Sequence, residues 1–167
     1  VQEQLETEIV DFQTDLFAPI QSKKAPLKAL IVAPSSLVFN WYNESKKFTP
    51  HFHRIQYLGN DRKQIAKKLN NYDLIFTSYA LISRDIEVFN NLNFNYLIID
   101  ESQQIKNRDS KLFKAINTIS ASHKISLSGT PIENSLSDLW SQMQFINPDI
   151  LGDFKFFTNY FKIPIEK

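Results

Sequence analysis

Asp100 and Glu101 stand side by side at the end of an apolar run, Tyr96-Leu97-Ile98-Ile99, and Ser102 and Gln103 follow them. Core packing does not ask for two adjacent carboxylates there. A hard divalent cation such as Mg²⁺ takes oxygen ligands and is commonly held by one or two carboxylates, with waters and substrate phosphates completing its shell. An Asp-Glu pair at a strand tip therefore suits metal–nucleotide chemistry, and a solvated turn or a helix entry is its structural alternative. A carboxylate-pair glycosidase fits poorly, because it needs two acids facing each other across a cleft, whereas neighbouring strand residues point to opposite faces.

The elements that must position this pair follow from periodicity. From residue 27 onward, strand-type and helix-type segments alternate, the pattern of a parallel α/β sheet. Leu27 to Ala33 is expected as a buried strand, and a helix capped by Ser35 or Ser36 should run to Phe48. A short strand over Arg54 to Leu58, a basic helix over Arg62 to Leu69 and a strand over Asp73 to Thr77 come next. Two short helical segments then lead to the strand ending at Ile99. A polar loop through Arg108, a helix opened by Asp109 or Ser110, a strand over His123 to Leu127 and a helix from Ser137 to about Phe145 complete the alternation. Phe154 to Phe161 reads as a last helix, with Pro164 beyond its end.

Four predicted strand tips carry short polar groups: Ala33-Pro34-Ser35-Ser36, Thr77-Ser78-Tyr79, Asp100-Glu101-Ser102-Gln103 and Ser128-Gly129-Thr130-Pro131. Ligands of open parallel sheets bind beyond the carboxyl ends of the strands, so these four tips should meet on one edge. Each alone has a bland explanation, since Ser, Thr and Pro favour caps and turns.

Composition narrows the function further. The 167 residues, 43% hydrophobic and 22% charged, suit one globular domain with its own core, and no run of about 18 apolar residues suggests a membrane span. There is no cysteine, which removes disulfides and thiolate metal sites and fits a reducing compartment. Net charge is +1, unevenly spread: residues 1 to 17 hold five acids and no Lys or Arg, which leaves a mildly basic body. Only three glycines occur, Gly59, Gly129 and Gly152, and none belongs to a Gly-rich, Lys-bearing loop of the kind that cradles phosphates.

Taken in order, Ile31-Val32-Ala33-Pro34-Ser35-Ser36-Leu37-Val38 with Asn40-Trp41, Thr77-Ser78-Tyr79, Ile98-Ile99-Asp100-Glu101-Ser102-Gln103 with Lys106-Asn107, and Leu127-Ser128-Gly129-Thr130-Pro131-Ile132-Glu133-Asn134 with Leu139-Trp140 resemble the SWI/SNF-like ATPases of helicase superfamily 2. The resemblance covers about residues 27 to 163. It implies a three-layer α/β RecA-like lobe with a mainly parallel sheet, the first of two lobes in an ATP-driven motor that moves along double-stranded DNA and remodels DNA-bound proteins. It further implies that Asp100 holds Mg²⁺, commonly through water, and that Glu101 orients or deprotonates the attacking water. Gln103 would join them in the acid box, and Ser128, Gly129 and Thr130 would couple ATP hydrolysis to DNA movement. Pro34, Ser35, Ser36, Thr77, Ser78 and Tyr79 would lie along the DNA track. Trp41 and Trp140 match family positions and are expected in the core.

Two departures matter. The acid box here reads Asp-Glu-Ser-Gln where the family often has Asp-Glu-Ala-His or Asp-Glu-Ala-Gln. Gln103 keeps an amide able to reach Ser128 or Thr130 without titrating, and the hydroxyl of Ser102 needs a local partner. The family's Gly-Lys-Thr loop, upstream of the strand matching Leu27 to Ala33, does not occur in these residues. The expectation is therefore a partial lobe, residues 27–163, preceded by an acidic leader and linker (1–26) and followed by a short tail (164–167), that does not hydrolyse ATP alone. Its absent strand is expected to leave an unpaired position beside the acid-box strand, covered by the leader, a second copy or local disorder. A non-catalytic DNA- or protein-binding module derived from such a lobe is the alternative. The compartment would be a bacterial nucleoid or a eukaryotic nucleus.

Overall fold

The structure, a computed structural model, describes residues 27–129 and 136–166. The expectations for residues 1–26 and for Thr130 to Asn134 lie outside the described residues.

Among the described residues, five strands form one sheet: β1 (Ala29–Ala33), β2 (Arg54–Gln56), β3 (Leu74–Ser78), β4 (Phe94–Asp100) and β5 (Ala121–Leu127). Their spatial order is β2-β3-β1-β4-β5, and every pairing is parallel. The α/β alternation read from the sequence thus becomes a doubly covered parallel sheet. Leu30 and Val32 of β1, with Ile75, Leu97 and Ile99, point into the larger core. That core is closed by α3 (Tyr79–Arg84), α4 (Ile86–Asn90), α5 (Lys111–Thr118) and α6 (Leu136–Ile146). Ala29, Ile31 and Ala33 point the other way and pack with Leu74, Phe76 and Val38. Val38 opens α1 (Val38–Phe48), which covers this second face; α2 (Arg62–Ala66) follows β2.

Several local expectations need correction. Ser35 and Ser36 do not cap α1: the helix enters through a turn in which the Pro34 carbonyl accepts from the N–H groups of Leu37 (2.8 Å) and Val38 (3.2 Å). Proline supplies that acceptor without a serine oxygen. By contrast Ser110 caps α5 as expected, its Oγ accepting from Phe113 N at 3.0 Å. Part of the expected polar loop after Glu101 is a 3-10 turn, Ser102–Ile105, held because Ser102 and Ile105 are both buried. Helical structure also continues through Pro164. A short helix α7 (Phe154–Phe157), capped by Asp153, widens into a π turn over Thr158–Lys162 and resumes as α8 (Ile163–Glu166). The wide turn directly ahead of the proline makes room for a ring that would otherwise strike the preceding turn.

The vacancy expected beside the acid-box strand is absent. β4 pairs with β1 on one side and β5 on the other, through Asp100 opposite Leu127. Among the described residues the edge strands are β2 and β5, each with a single partner, and on β5 Ile125 and Leu127 are exposed. Apolar exposure of the sheet lies on the α1 face: Tyr96, Ile98 and Ile125 line a groove of about 450 Å³ with Leu27, Trp41 and Phe48. β4 is thus fully buried on one face only.

On the larger core, Tyr57 is buried and donates to Asp85 Oδ2 (3.1 Å), which also accepts from Arg62 Nε at 2.7 Å. Burial first, then the hydrogen bond and charge of Asp85, favour the neutral phenol and push its pKa from 10.0 to about 12. An acid whose folded-state pKa is raised stabilises the fold fully below its unfolded value and loses that contribution as pH climbs through the folded value. The urea midpoint should therefore fall between pH 10 and 12, and Tyr57→Phe should make that part of the curve shallower, the raised Tyr79 phenol contributing the remaining slope. An equally steep fall in the variant would remove Tyr57 as its source.

Candidate active site at the carboxyl edge of the sheet

The parallel registers bring the four tips to one edge. Ala33 lies opposite Ser78, Val32 opposite Ile99, and Asp100 opposite Leu127, so β1, β3, β4 and β5 end together. Asp100 is the last residue of β4, and the backbone then turns at Glu101 into the left-handed region, φ 54° and ψ 55°. A residue with a Cβ held there costs on the order of 1–2 kcal/mol, and such strain concentrates at functional sites.

Asp100 is anchored at three atoms. Its Oδ2 accepts from Trp41 Nε1 at 2.8 Å, its Oδ1 from Glu101 N at 2.9 Å, and its carbonyl from Tyr79 Oη at 2.5 Å. Burial, followed by the charges of Asp100 and Glu101, raises the Tyr79 phenol well above its ordinary value, so it remains a neutral donor at physiological pH. Each carboxylate oxygen, having accepted one N–H, retains a lone pair. Asp100 also lines a cleft of about 230 Å³ with Leu37, Asn40, Trp41 and Glu44, so those lone pairs have room for a hydrated cation.

Glu101 is held differently. Its Oε2 accepts from Gln103 Nε2 at 2.6 Å, and Gln103 Oε1 in turn accepts from Ser128 Oγ at 3.1 Å. The amide uses both ends at once, donating to the acid box and accepting from the tip of β5, a bridge that one neutral glutamine side chain can make without a proton change.

The turn beneath is fixed by buried polar groups on α6. Ser102, fully buried, donates to Gln142 Oε1 at 2.7 Å, which supplies the partner its hydroxyl required. Ser141 donates to the Lys106 carbonyl at 2.8 Å. Ser141 and Gln142 were not anticipated, although two polar residues flanked by Trp140 and Met143 on an amphipathic helix were the available signal.

The expected DNA-track residues separate into two groups. Ser35 and Ser36 are exposed at the edge. Thr77, Ser78 and Tyr79 are buried, the Thr77 hydroxyl donates to the Tyr57 carbonyl at 3.1 Å, and Tyr79 is spent on Asp100. The Thr77 and Tyr79 hydroxyls are thus engaged inside the lobe, and all three residues lie beneath the exposed edge. Gly129 is exposed and a Cβ there would meet nothing within 4 Å; Thr130 lies outside the described residues. Trp140 sits in the core as expected, donating to the Gly152 carbonyl, whereas Trp41 is half-buried and belongs to the site. Among the described residues no group of three His, Cys, Asp or Glu side chains could hold a metal by itself. A cation at Asp100 must therefore take most of its ligands from water and a bound phosphate, which is the usual preference of Mg²⁺.

The SNF2-related domain family matches residues 5–167. The chain is 40% identical over 144 residues to an uncharacterised ATP-dependent helicase of Mycoplasma genitalium, covering 85% of this chain and 14% of the relative. It is 38% identical over 148 residues to the TATA-binding protein-associated factor MOT1 of Saccharomyces cerevisiae, covering 87% of this chain and 8% of that protein. Among solved structures, the Sulfolobus solfataricus SWI2/SNF2 ATPase core in complex with double-stranded DNA superposes with a TM-score of 0.78 at 37% identity, over 97% of this chain and 32% of the other.

Proposed function

Because this chain belongs to the SNF2-related family and has the fold of a SWI2/SNF2 ATPase core lobe, we propose that it is the acid-box part of a longer DNA-dependent ATPase, a motor that uses ATP and Mg²⁺ to act on double-stranded DNA and on proteins bound to it. The observation that carries this reading is the bridge from Glu101 through Gln103 to Ser128, which joins two strand tips at the edge where Asp100 is held ready for a cation. The remaining parts, a phosphate-binding loop and a second lobe, lie elsewhere in the full-length protein; the small shares of the relatives that this chain spans support that division.

In this reading Asp100 holds Mg²⁺ through water, its orientation set by the indole, the backbone N–H and the Tyr79 hydroxyl. When bound, the cation supplies charge neutralisation for the transferring phosphoryl group. Glu101 orients and accepts a proton from the attacking water, and Gln103 keeps the free carboxylate oxygen turned toward it. Ser128, Gly129 and Thr130 register DNA engagement, and Ser128 passes it to Glu101 through the Gln103 amide. Pro34, Ser35 and Ser36 form the accessible part of the DNA track, where hydroxyls and backbone N–H groups touch phosphates without reading bases. Partners are duplex DNA, with which the Sulfolobus core was solved, and a DNA-bound protein, in keeping with the yeast relative's being a TATA-binding protein-associated factor. No helix among the described residues is long and apolar enough to cross a membrane.

The test is steady-state ATP hydrolysis by the full-length protein with and without double-stranded DNA. A rate that rises with DNA and saturates supports the reading. Hydrolysis indifferent to DNA overturns the DNA-coupled reading, and absence of hydrolysis under both conditions overturns it in favour of a non-catalytic binding module.

A further inference from the structure

We propose that Trp41 is a positioning residue for the metal carboxylate, holding Asp100 Oδ2 through its indole N–H; this rests on the reading of Asp100 as the Mg²⁺ carboxylate. Trp41 lies in the first turns of α1, and its backbone N–H is fixed to the Leu37 carbonyl at 3.0 Å. From there the indole Nε1 reaches Asp100 Oδ2 across 59 positions of sequence at 2.8 Å. An indole has one donor and no acceptor, so this contact has a single sense: it stabilises an ionised or metal-bound Asp100 and cannot accept from a protonated one. The ring body meanwhile lines the apolar groove on the α1 face, where its neighbours include Phe48, Tyr96 and Ile98. Packing along the ring therefore sets the direction of the N–H, and the N–H sets the rotation of the carboxylate.

The Asp100 carboxylate has no other side-chain donor among its described hydrogen bonds. Oδ1 is held by the N–H of the next residue and the main-chain carbonyl by Tyr79. Those two bonds fix the backbone and one oxygen, whereas Trp41, which lines the same cleft as Asp100, fixes the other oxygen. Groups that orient a metal ligand from behind typically change metal affinity by 10- to 100-fold when removed. The same bond also ties α1, which starts two residues after the exposed Ser35-Ser36 pair, to the acid box.

The experiment is a Mg²⁺ titration of fluorescent mant-ATP binding to the full-length protein, made in a Glu101→Gln background so that the nucleotide is not consumed. Trp41→Phe keeps an aromatic ring in the groove and removes the donor. The expected result is a Mg²⁺ midpoint raised by about tenfold, with metal-free mant-ATP binding and the thermal midpoint of the metal-free protein near those of the parent. A purely structural tryptophan would shift the thermal midpoint and leave the Mg²⁺ midpoint in place, and that outcome overturns the proposal. Trp41→Leu, which is apolar and carries no N–H or O–H donor, repeats the measurement if Trp41→Phe does not fold. Asp100→Asn separates the two levels of inference. If it loses the Mg²⁺ dependence while Trp41→Phe does not move it, the role of Trp41 fails alone; if Asp100→Asn itself leaves the midpoint unchanged, the metal reading of Asp100 fails first.

Discussion

Glu101→Gln in the full-length protein is expected to lower ATP turnover by about two to four orders of magnitude, the usual contribution of a positioned general base, while Mg²⁺-dependent nucleotide binding stays near that of the parent. The substitution keeps the side-chain length and removes the ability to take a proton. Asp100 keeps all three of its anchors, because none of them uses the Glu101 side chain. The Gln103 amide, 2.6 Å from Glu101 Oε2, can still donate to the oxygen of the new amide, so the link to Ser128 survives. Loss of rate with retained binding is therefore the signature of lost chemistry rather than a collapsed turn. Steady-state hydrolysis alongside mant-ATP binding measures both, and a variant that loses both in parallel would point to structure instead.

The second large effect concerns stability. Phe89→Ala should destabilise this lobe by about 3–5 kcal/mol, the range for truncating a buried phenylalanine, against a total stability on the order of 5–15 kcal/mol for a domain. Phe89 has no exposed surface, and its ring meets that of Tyr57 edge to face with centroids 5.2 Å apart. Its cavity would open beside Tyr57 in the larger core. The unfolding transition of the lobe should move to markedly lower urea. A shift corresponding to less than about 1 kcal/mol would mean that the core can collapse around the missing ring, which close-packed interiors seldom allow.

These two residues illustrate what the sequence made legible. The α/β alternation, the end of β4 at the acid pair and the convergence of four tips could all be read from apolar runs and their polar punctuation, because a parallel sheet imposes those patterns strand by strand. The reach of Gln103 toward Ser128 was also legible, since an amide beside the acid box needs partners and a hydroxyl closes the next tip. Strand neighbours were not legible. Nothing in the residues of β4 says that β5 and β1 lie on its two sides, so the open position was placed against the wrong strand. Burial of individual hydroxyls was equally hidden: Thr77 looks like a surface tip residue, yet its position one register step inside the edge turns its hydroxyl to the Tyr57 carbonyl. Trp41 was hidden for a related reason. A tryptophan on an amphipathic helix reads as core, and the carboxylate that satisfies its N–H lies 59 residues away.

The claim that most of the account depends on is that Asp100 and Glu101 are the metal and water half of a DNA-coupled ATP site. Its most direct measurement is ATP turnover against double-stranded DNA concentration, run with full-length parent and Glu101→Gln proteins at equal Mg²⁺-nucleotide saturation. The account predicts DNA-saturable turnover in the parent and its near-complete loss in the variant. DNA-saturable turnover that survives in Glu101→Gln would contradict it.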